Sequence, residues 1–288
     1  MDRKHLPANI LAQKERVIVI VDKIEKYLES SGRTLNEVLA DQFAKDTRDS
    51  FIRQFMVAKE AKPGRLYTTM AHVACSRKSA YTYLATEAEF PSPRTSMRFA
   101  LGDVVEALIS RLARLAGCNL SDKNRRMEVP VEGLEGQNIT CIPDDLLQTD
   151  SGDLINVEYK SMSNFSFDRF KEEDALDDTF GYGGQIAMEE HAWKHHGVKV
   201  KGSLMVAVRL ETGHMHEKLI VADPNKVSMI FQRCRDAVNA RIDDLPQRGF
   251  LPVDEKFRSK PTGRKILGIN CSYCSFRGHC WPEAKLEV

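Results

Sequence analysis

The sequence predicts an α/β fold in which one central mixed β-sheet is flanked by helices. Three observations carry that prediction: apolar residues recur at helical spacing in the first third of the chain, period-two runs fill 127–160, and a helix, two strands and another helix follow. In chain order, Val17, Val21, Ile24 and Leu28 lie on one helical face, and Ser-Gly-Arg-Thr at 31–34 ends that helix and opens a second. Residues 1–66 therefore read as a helical N-terminal region without legible chemistry. Cys75 falls in a helical stretch, 67–85. Pro-Ser-Pro at 91–93 then precedes the strongest helix, with Met97, Leu101, Val104, Val105, Leu108, Leu112 and Leu115 on one stripe.

From residue 126 the pattern becomes that of strands. Met127 to Val131, a turn at Gly133 and Gly136, Ile139 to Leu147, a turn at 149–153 and Leu154 to Lys160 predict a meander of three. An acid-rich loop at 168–178 leads to a helix around Gln185 to Lys194. Strands at Leu204 to Leu210 and Lys218 to Val221 come next, and Asp223-Pro224 starts a further helix. Residues 67–255 are thus expected to form the core, with 256–288 as a basic segment and a cysteine-bearing cap.

Composition narrows the class. A chain of 288 residues, 42% of them hydrophobic, buries a sizeable core without disulfides. The seven cysteines are an odd number, no leader opens the sequence, and no apolar run approaches the ~18 residues of a spanning helix. The expectation is a cytoplasmic protein of a prokaryotic cell or a phage-infected host, where clustered cysteines bind metal rather than pair. A net charge of +1 gives no global argument for nucleic acid. One local case exists at 256–265, with five basic residues and no acid, a composition that by itself describes a solvated loop.

Two groups of residues carry chemistry. Cys271, Cys274 and Cys280 are spaced so that one tight loop aims three sulfurs at a point, and the fourth ligand must come from elsewhere. Cys75, Cys118, Cys141 and Cys234 are available, with His72 and His279 as alternatives; Cys118, Cys141 and Cys234 fit apolar faces as packed thiols. Spacing alone leaves zinc and an iron-sulfur cluster open. In the second group, alternation along the 154–160 strand points Ile155, Val157 and Tyr159 one way and Asn156, Glu158 and Lys160 the other. The preceding strand brings Asp144 or Asp145, and a bend at Pro143 or a rim position is needed to expose Asp144 beside Ile142. Converging carboxylates suit a hard divalent cation such as magnesium or manganese, and an adjacent lysine suits orienting or deprotonating an attacking water. Glu106, one turn after Gly102, offers a third carboxylate, and Gly102 allows close backbone approach.

Taken together these segments resemble the PD-(D/E)XK nuclease superfamily, in its RecB-like exonuclease branch with a four-cysteine iron-sulfur cluster. CRISPR-associated exonucleases and the AddB-type nuclease domain belong to that branch. The resemblance spans Cys75 to Cys280 and rests on Gly102 to Glu106, Cys141-Ile-Pro-Asp144, Glu158-Tyr-Lys160, the helix opening at Gln185, and one cysteine before and three after the core. Two positions depart from the family pattern: Cys141 stands where the family has glycine, and Glu189 where it has tyrosine, for which Tyr182 is a candidate substitute.

The resemblance implies a restriction-endonuclease-like core and a magnesium- or manganese-dependent DNA exonuclease acting on single-stranded ends. Glu106, Asp144, Glu158 and the Tyr159 carbonyl would hold metal, Lys160 would position the water, and Gln185 would brace the lysine or the nucleotide. Cys75, Cys271, Cys274 and Cys280 would bind a [4Fe-4S] cluster, with zinc as the alternative. Residues 256–265 and Arg277 would contact the DNA backbone. Recombination or CRISPR adaptation proteins are the implied partners. A structure-specific endonuclease of the same fold, or a non-catalytic DNA-binding adaptor, are the competing readings.

Overall fold

A five-stranded mixed sheet organises the chain. The computed structural model describes residues 20–30, 35–56, 62–121, 123–172 and 180–282; the helix break expected at 31–34 and the later part of the acid-rich loop lie outside them. Helices α1 (Ile20–Glu29), α2 (Glu37–Phe51) and α5 (Pro93–Leu115) come from the first part, with the short α3 (Thr68–Ala71) and α4 (Ser76–Tyr83) between them. Strands β2 (Asn119–Ser121), β5 (Asp145–Gln148), β6 (Leu154–Met162), β7 (Val200–Arg209) and β8 (Met215–Ile220) form the sheet in that spatial order. The β6–β7 pair is parallel and the other pairs are antiparallel. The parallel crossover runs through α6 (Asn164–Glu172) and α7 (Tyr182–His195), and α8 (Asn225–Asn239) follows β8.

Period-two alternation places β6 at the centre. Ile155, Val157 and Tyr159 pack with Leu204 and Val206 of β7 under Ile20 and Ile24 of α1 and Ile109 and Ala113 of α5. On the other face, Met162, Met205 and Ala207 meet Phe167, Phe170 and Ile186. With both faces covered, this strand pair excludes water from most of its length.

The expected meander of three strands is divided between two sheets. β4 (Asn138–Cys141) pairs with β3 (Met127–Pro130) and, in parallel, with β1 (Leu66–Tyr67), whereas β5 belongs to the larger sheet. The break falls on Ile142-Pro143-Asp144: proline has no N–H for a ladder, and Ile142 turns outward while Asp144 turns in.

The apolar stripe expected on α5 is also not its buried face. Met97, Leu101 and Leu108 are exposed; Ala107, Ile109, Ser110 and Ala113 are buried, with Val105 and Leu112 half-buried beside them. The cause is close approach to β6, which favours small side chains. A Cβ on Gly102 would stand 3.4 Å from Ser161 Oγ. Ser92 caps this helix on the Thr95 N–H, with Pro93 in its first turn.

Other elements refine the expected boundaries. The second helix begins at Glu37, capped by Asn36 on the Leu39 N–H. α1 is embedded in the main core, and Glu217 of β8 accepts the Ile20 and Val21 N–H groups at 3.1 Å each, so this helix is no separate unit. Residues 164–172, partly expected as loop, are helical because Phe167 and Phe170 share one buried face. The basic segment spans the end of one arm, the turn and most of the second arm of a hairpin, β9 (Val253–Phe257) and β10 (Lys260–Ile266), which crosses the boundary expected at 255/256. Two four-residue helices, α9 (Ile269–Ser272) and α10 (Arg277–Cys280), end the described chain. No helix among the described residues is long and apolar enough to cross a membrane.

Candidate functional site

The Pro143 bend separates the roles of two adjacent aspartates. Asp145, fully buried, is held by Arg114 (Nη2 to Oδ1 2.5 Å), Ser110 (2.8 Å) and the Tyr159 hydroxyl (3.1 Å) on the helix-covered face of β6. It is a structural ion pair. Asp144 points the other way, and its Oδ2 accepts the Tyr159 N–H at 2.9 Å.

Around Asp144 the fold gathers Glu158 and Lys160 from β6, Glu106 from α5 and Gln185 from α7. Lys160 Nζ donates to Glu158 Oε1, which also accepts Gln185 Nε2 at 2.7 Å. The Gln185 amide donates in addition to Glu189, at 2.9 Å, and Glu189 accepts from Asn156 at 2.8 Å. Asn156 in turn accepts the Trp193 indole N–H at 2.9 Å, which anchors the polar row in the core. Lys123 lies 3.5 Å from Glu106. Glu158 is 1% exposed, and its Oε2 is buried without a hydrogen-bond partner.

Sequence reasoning missed Glu189 and Lys123. The available signal for Glu189 was its i, i+4 spacing from Gln185, which puts both on one helical face. Lys123, on the loop after β2, carried no signal in the sequence.

The charges do not balance. Glu106, Asp144, Glu158 and Glu189 face Lys160 and Lys123, leaving two negative charges uncompensated if all four acids ionise. Burial, reinforced by Asp144, pushes Glu106 up to about 7; burial, reinforced by Glu158, pushes Asp144 up to about 8. Burial and Glu189 raise Glu158 to about 8, and burial and Asp144 raise Glu189 to about 7. Burial disfavours the Lys160 ammonium, but Glu158 and Asp144 outweigh it and hold its pKa above the ordinary lysine value.

His72 belongs to this neighbourhood rather than to the thiols. Its Nδ1 donates to the Thr68 carbonyl at 2.9 Å, and burial and Lys78 depress it to about 4, so the ring is neutral. Gly181, at φ +76°, lets α7 begin against it; a Cβ there would stand 2.6 Å from the His72 carbonyl oxygen.

Three residues after His72 the chain reaches a second centre. Cys75, Cys271, Cys274 and Cys280 line one cleft of about 420 Å³ including its open mouth. Cys75 is not helical: it is the extended residue before α4. Its position depends on Gly249, where a Cβ would stand 2.5 Å from the Ala74 carbonyl oxygen and 2.8 Å from the Cys75 Cα. Burial and Cys274 push the Cys271 thiol up to about 11, and burial raises Cys274 while the Lys78 ammonium opposes it.

Glu89 ties the cap down, accepting from Arg277 Nε at 3.1 Å and from the Gly278 N–H, while the Glu89 N–H donates to the Ser275 carbonyl at 2.7 Å. Arg277, expected on the DNA backbone, pairs with Glu89 and is half-buried. His279 Nε2 sits 2.9 Å from the Glu87 carbonyl, and His279 is not among the residues that line the cleft. Cys118, Cys141 and Cys234 are buried in apolar cores. Among the described residues no three His, Cys, Asp or Glu side chains are arranged to hold a single metal ion. In the first centre the cause is visible, since Glu158 is turned onto Lys160 and Asp144 onto a backbone N–H.

An aromatic row joins the two centres. Tyr273, between Cys271 and Cys274, packs edge-on against Phe180 at 6.4 Å; Phe180 lies 5.9 Å from Tyr182, and Lys160 Nζ stands 5.5 Å from the Tyr182 ring centre. Arg98 of α5 donates to the Tyr273 hydroxyl at 2.6 Å.

No family model and no curated protein matches the chain. Among solved structures, the crystal structure of SSO0001 is similar at 14% identity and a TM-score of 0.49, over 86% of this chain and 98% of that one.

Proposed function

We propose that the chain is a divalent-cation-dependent deoxyribonuclease of the PD-(D/E)XK superfamily, with a restriction-endonuclease-like core of the RecB-like branch, acting as an exonuclease on single-stranded DNA ends. One observation carries the reading: three buried carboxylates and the half-buried Glu106 surround Lys160 at a strand bend, two charges short of neutrality with Lys123 counted, and Glu158 Oε2 is unpartnered. That donor set suits a hard cation, because it offers oxygen ligands and lacks two positive charges. Glu106, Asp144, Glu158 and the Tyr159 carbonyl would hold it. When bound, magnesium or manganese supplies Lewis-acid polarisation of phosphoryl oxygens and lowers the pKa of a bound water.

The protein's own groups do the positioning. Lys160, held charged by Glu158 and Asp144, is a donor that orients water and offsets charge building on the phosphorane; its raised pKa makes it a poor proton acceptor. Gln185 fixes Glu158 and links it to Glu189, so the strand carboxylate has one orientation. His72, neutral and half-buried, shapes the wall without adding charge.

The thiol cleft supports a [4Fe-4S] cluster, with zinc as the alternative occupant. Four thiols share one wall system, and the Lys78 ammonium offsets the negative charge that four thiolates would bring. Brown colour in anaerobically prepared protein, lost in Cys274→Ala, is the expected signature; colourless protein with stoichiometric zinc overturns the cluster.

The test of the enzymatic reading is digestion of labelled linear and circular single-stranded DNA with manganese. The expected result is cleavage of the linear form that Glu158→Gln abolishes. Cleavage of circles shows an endonuclease, and equal activity in Glu158→Gln refutes the site.

A further inference from the structure

The β9–β10 hairpin makes a projection whose chemistry the carboxylate site does not use. Its residues are exposed on almost every position, and Phe257, next to the tip, is 67% exposed. Cross-strand pairing sorts its side chains by height. Val253 faces Ile266 at the root and Phe257 faces Lys260 at the tip. Both acids of the hairpin are engaged in its lower half, Glu255 with Arg264 at 2.8 Å and Asp254 with Lys265 at 2.7 Å. Lys256, Arg258 and Lys260, around Phe257, make none of the described ion pairs, and Arg258 lies 5.4 Å from the Phe257 ring centre.

The turn itself is unusual. Arg258 (φ 49°) and Ser259 (φ 66°) both occupy the left-handed region, which two-residue hairpin turns normally give to Asn or Gly. A residue with a long cationic side chain is held there despite the steric cost. Both feet of the hairpin are fixed in the thiol cleft: Phe250 precedes β9, Asn270 and Cys271 follow β10, and all three line that cleft.

We infer that this hairpin is a binding finger for unpaired nucleic acid, with Phe257 stacking on a base and Lys256, Arg258 and Lys260 holding the flanking phosphates. An exposed ring among cations matches a strand that offers π-faces and phosphates together. In a duplex the base faces are covered by their neighbours, so the ring selects single strands. This extends the nuclease reading by naming the residue that sets strand preference, and it gives the thiol centre a second task, holding the finger at its root.

The test is binding of the full chain to labelled oligothymidylate and to a blunt duplex in magnesium-free buffer. Phe257→Ala is expected to weaken single-strand binding about 5- to 100-fold while leaving the duplex nearly unchanged, with Phe257→Trp restoring it. Replacing Lys256, Arg258 and Lys260 by Gln should weaken both and lower the single-strand salt slope by roughly 2. Unchanged thermal melting of these variants is expected, because none of these side chains enters a core. Wild-type single-strand affinity in Phe257→Ala, or equal losses on both substrates, overturns the assignment. Binding by the charge-neutral variant at the wild-type salt slope, or selective loss of anionic-vesicle binding instead of DNA binding, also overturns it. The nuclease reading is tested apart from this: selective loss in Phe257→Ala with no cleavage by wild type would leave the finger standing and remove the nuclease.

Discussion

Glu158 and Cys271 are both polar groups drawn out of water, yet the structure supports them in different ways. Glu158 sits on the central strand, between β5 and β7, with apolar clusters on both faces of the sheet. Its position is fixed whatever charge it carries, so the pocket can hold electrostatic tension. Cys271 sits on a four-residue helix in a terminal cap whose second short helix is tied down by Glu89 and Arg248, across a sequence separation of nearly 200 residues from Cys75. There a bound metal would supply a large part of the closure itself. The lesson is that metal at the first centre would serve chemistry at some relief of strain, whereas metal at the second would serve structure.

The largest expected effect breaks the first centre alone. Lys160→Ala should lower single-turnover cleavage by about 10²- to 10³-fold or more, as removal of a preorganised charge donor does, while DNA binding stays near wild type and the protein stays folded at pH 6, below the raised pKa values of Asp144 and Glu158. Loss of folding in this variant would contradict the claim that the sheet fixes the pocket independently.

Cys274→Ala should do the reverse. Urea unfolding of metal-loaded protein is expected to show a loss of about 3–5 kcal/mol, the scale of a long-loop cross-link, with manganese affinity at the carboxylates largely kept. Stability equal to that of the metal-loaded wild type would show that the thiol centre is no clamp.

Acidity sharpens the comparison. The folded pKa values of Asp144 and Glu158 lie near 8 and those of Glu106 and Glu189 near 7, all above their unfolded values, so the native state binds more protons through this range. Stability from this centre is therefore greatest below the unfolded values near 4 and falls as pH rises toward 8. Cation-free protein should melt lower at pH 8 than at pH 6, by roughly 2–4 °C for each kcal/mol lost. Manganese should restore more at pH 8, where protons compete less, and Glu158→Gln should remove part of the slope. A melting temperature that rises with pH in cation-free protein would reverse the sign and refute the buried charge excess.

The smallest effect concerns the row of rings between the centres. Tyr273→Ala should lower kcat about 2- to 10-fold with little change in KM, and Tyr273→Phe should recover most of it, since ring contact rather than the hydroxyl carries the coupling. A loss in Tyr273→Phe equal to that in Tyr273→Ala would instead assign the effect to the Arg98 hydrogen bond.

Much of this was legible in the sequence. Alternation along 154–160 put Glu158 and Lys160 on one face because strand periodicity is a local property, and the helical spacing of Gly102 and Glu106 was equally local. The division of 139–147 between two sheets was not, since a proline shows where a ladder stops but not where the chain goes next. The buried face of α5 was misjudged for a related reason: its packing is set by close approach to β6, which favours Ala107 and Ala113 over the larger Leu101 and Leu108. Glu189 was seen only as a departure from a pattern, because its carboxylate gains meaning from Asn156, 33 residues away in sequence and adjacent in space. The hairpin looked like a solvated loop, since five cations among ten residues do not reveal that two of them are paired in its lower half.

The most direct test of the central claim is calorimetric titration of manganese at pH 7 in two buffers of different ionisation enthalpy. A pocket of four raised-pKa carboxylates must lose protons to take the cation, so wild type should bind with release of roughly one proton or more, and Glu158→Gln should lose both binding and release. Manganese binding without proton release, or with equal affinity in Glu158→Gln, would contradict the assignment of this pocket as the cation site.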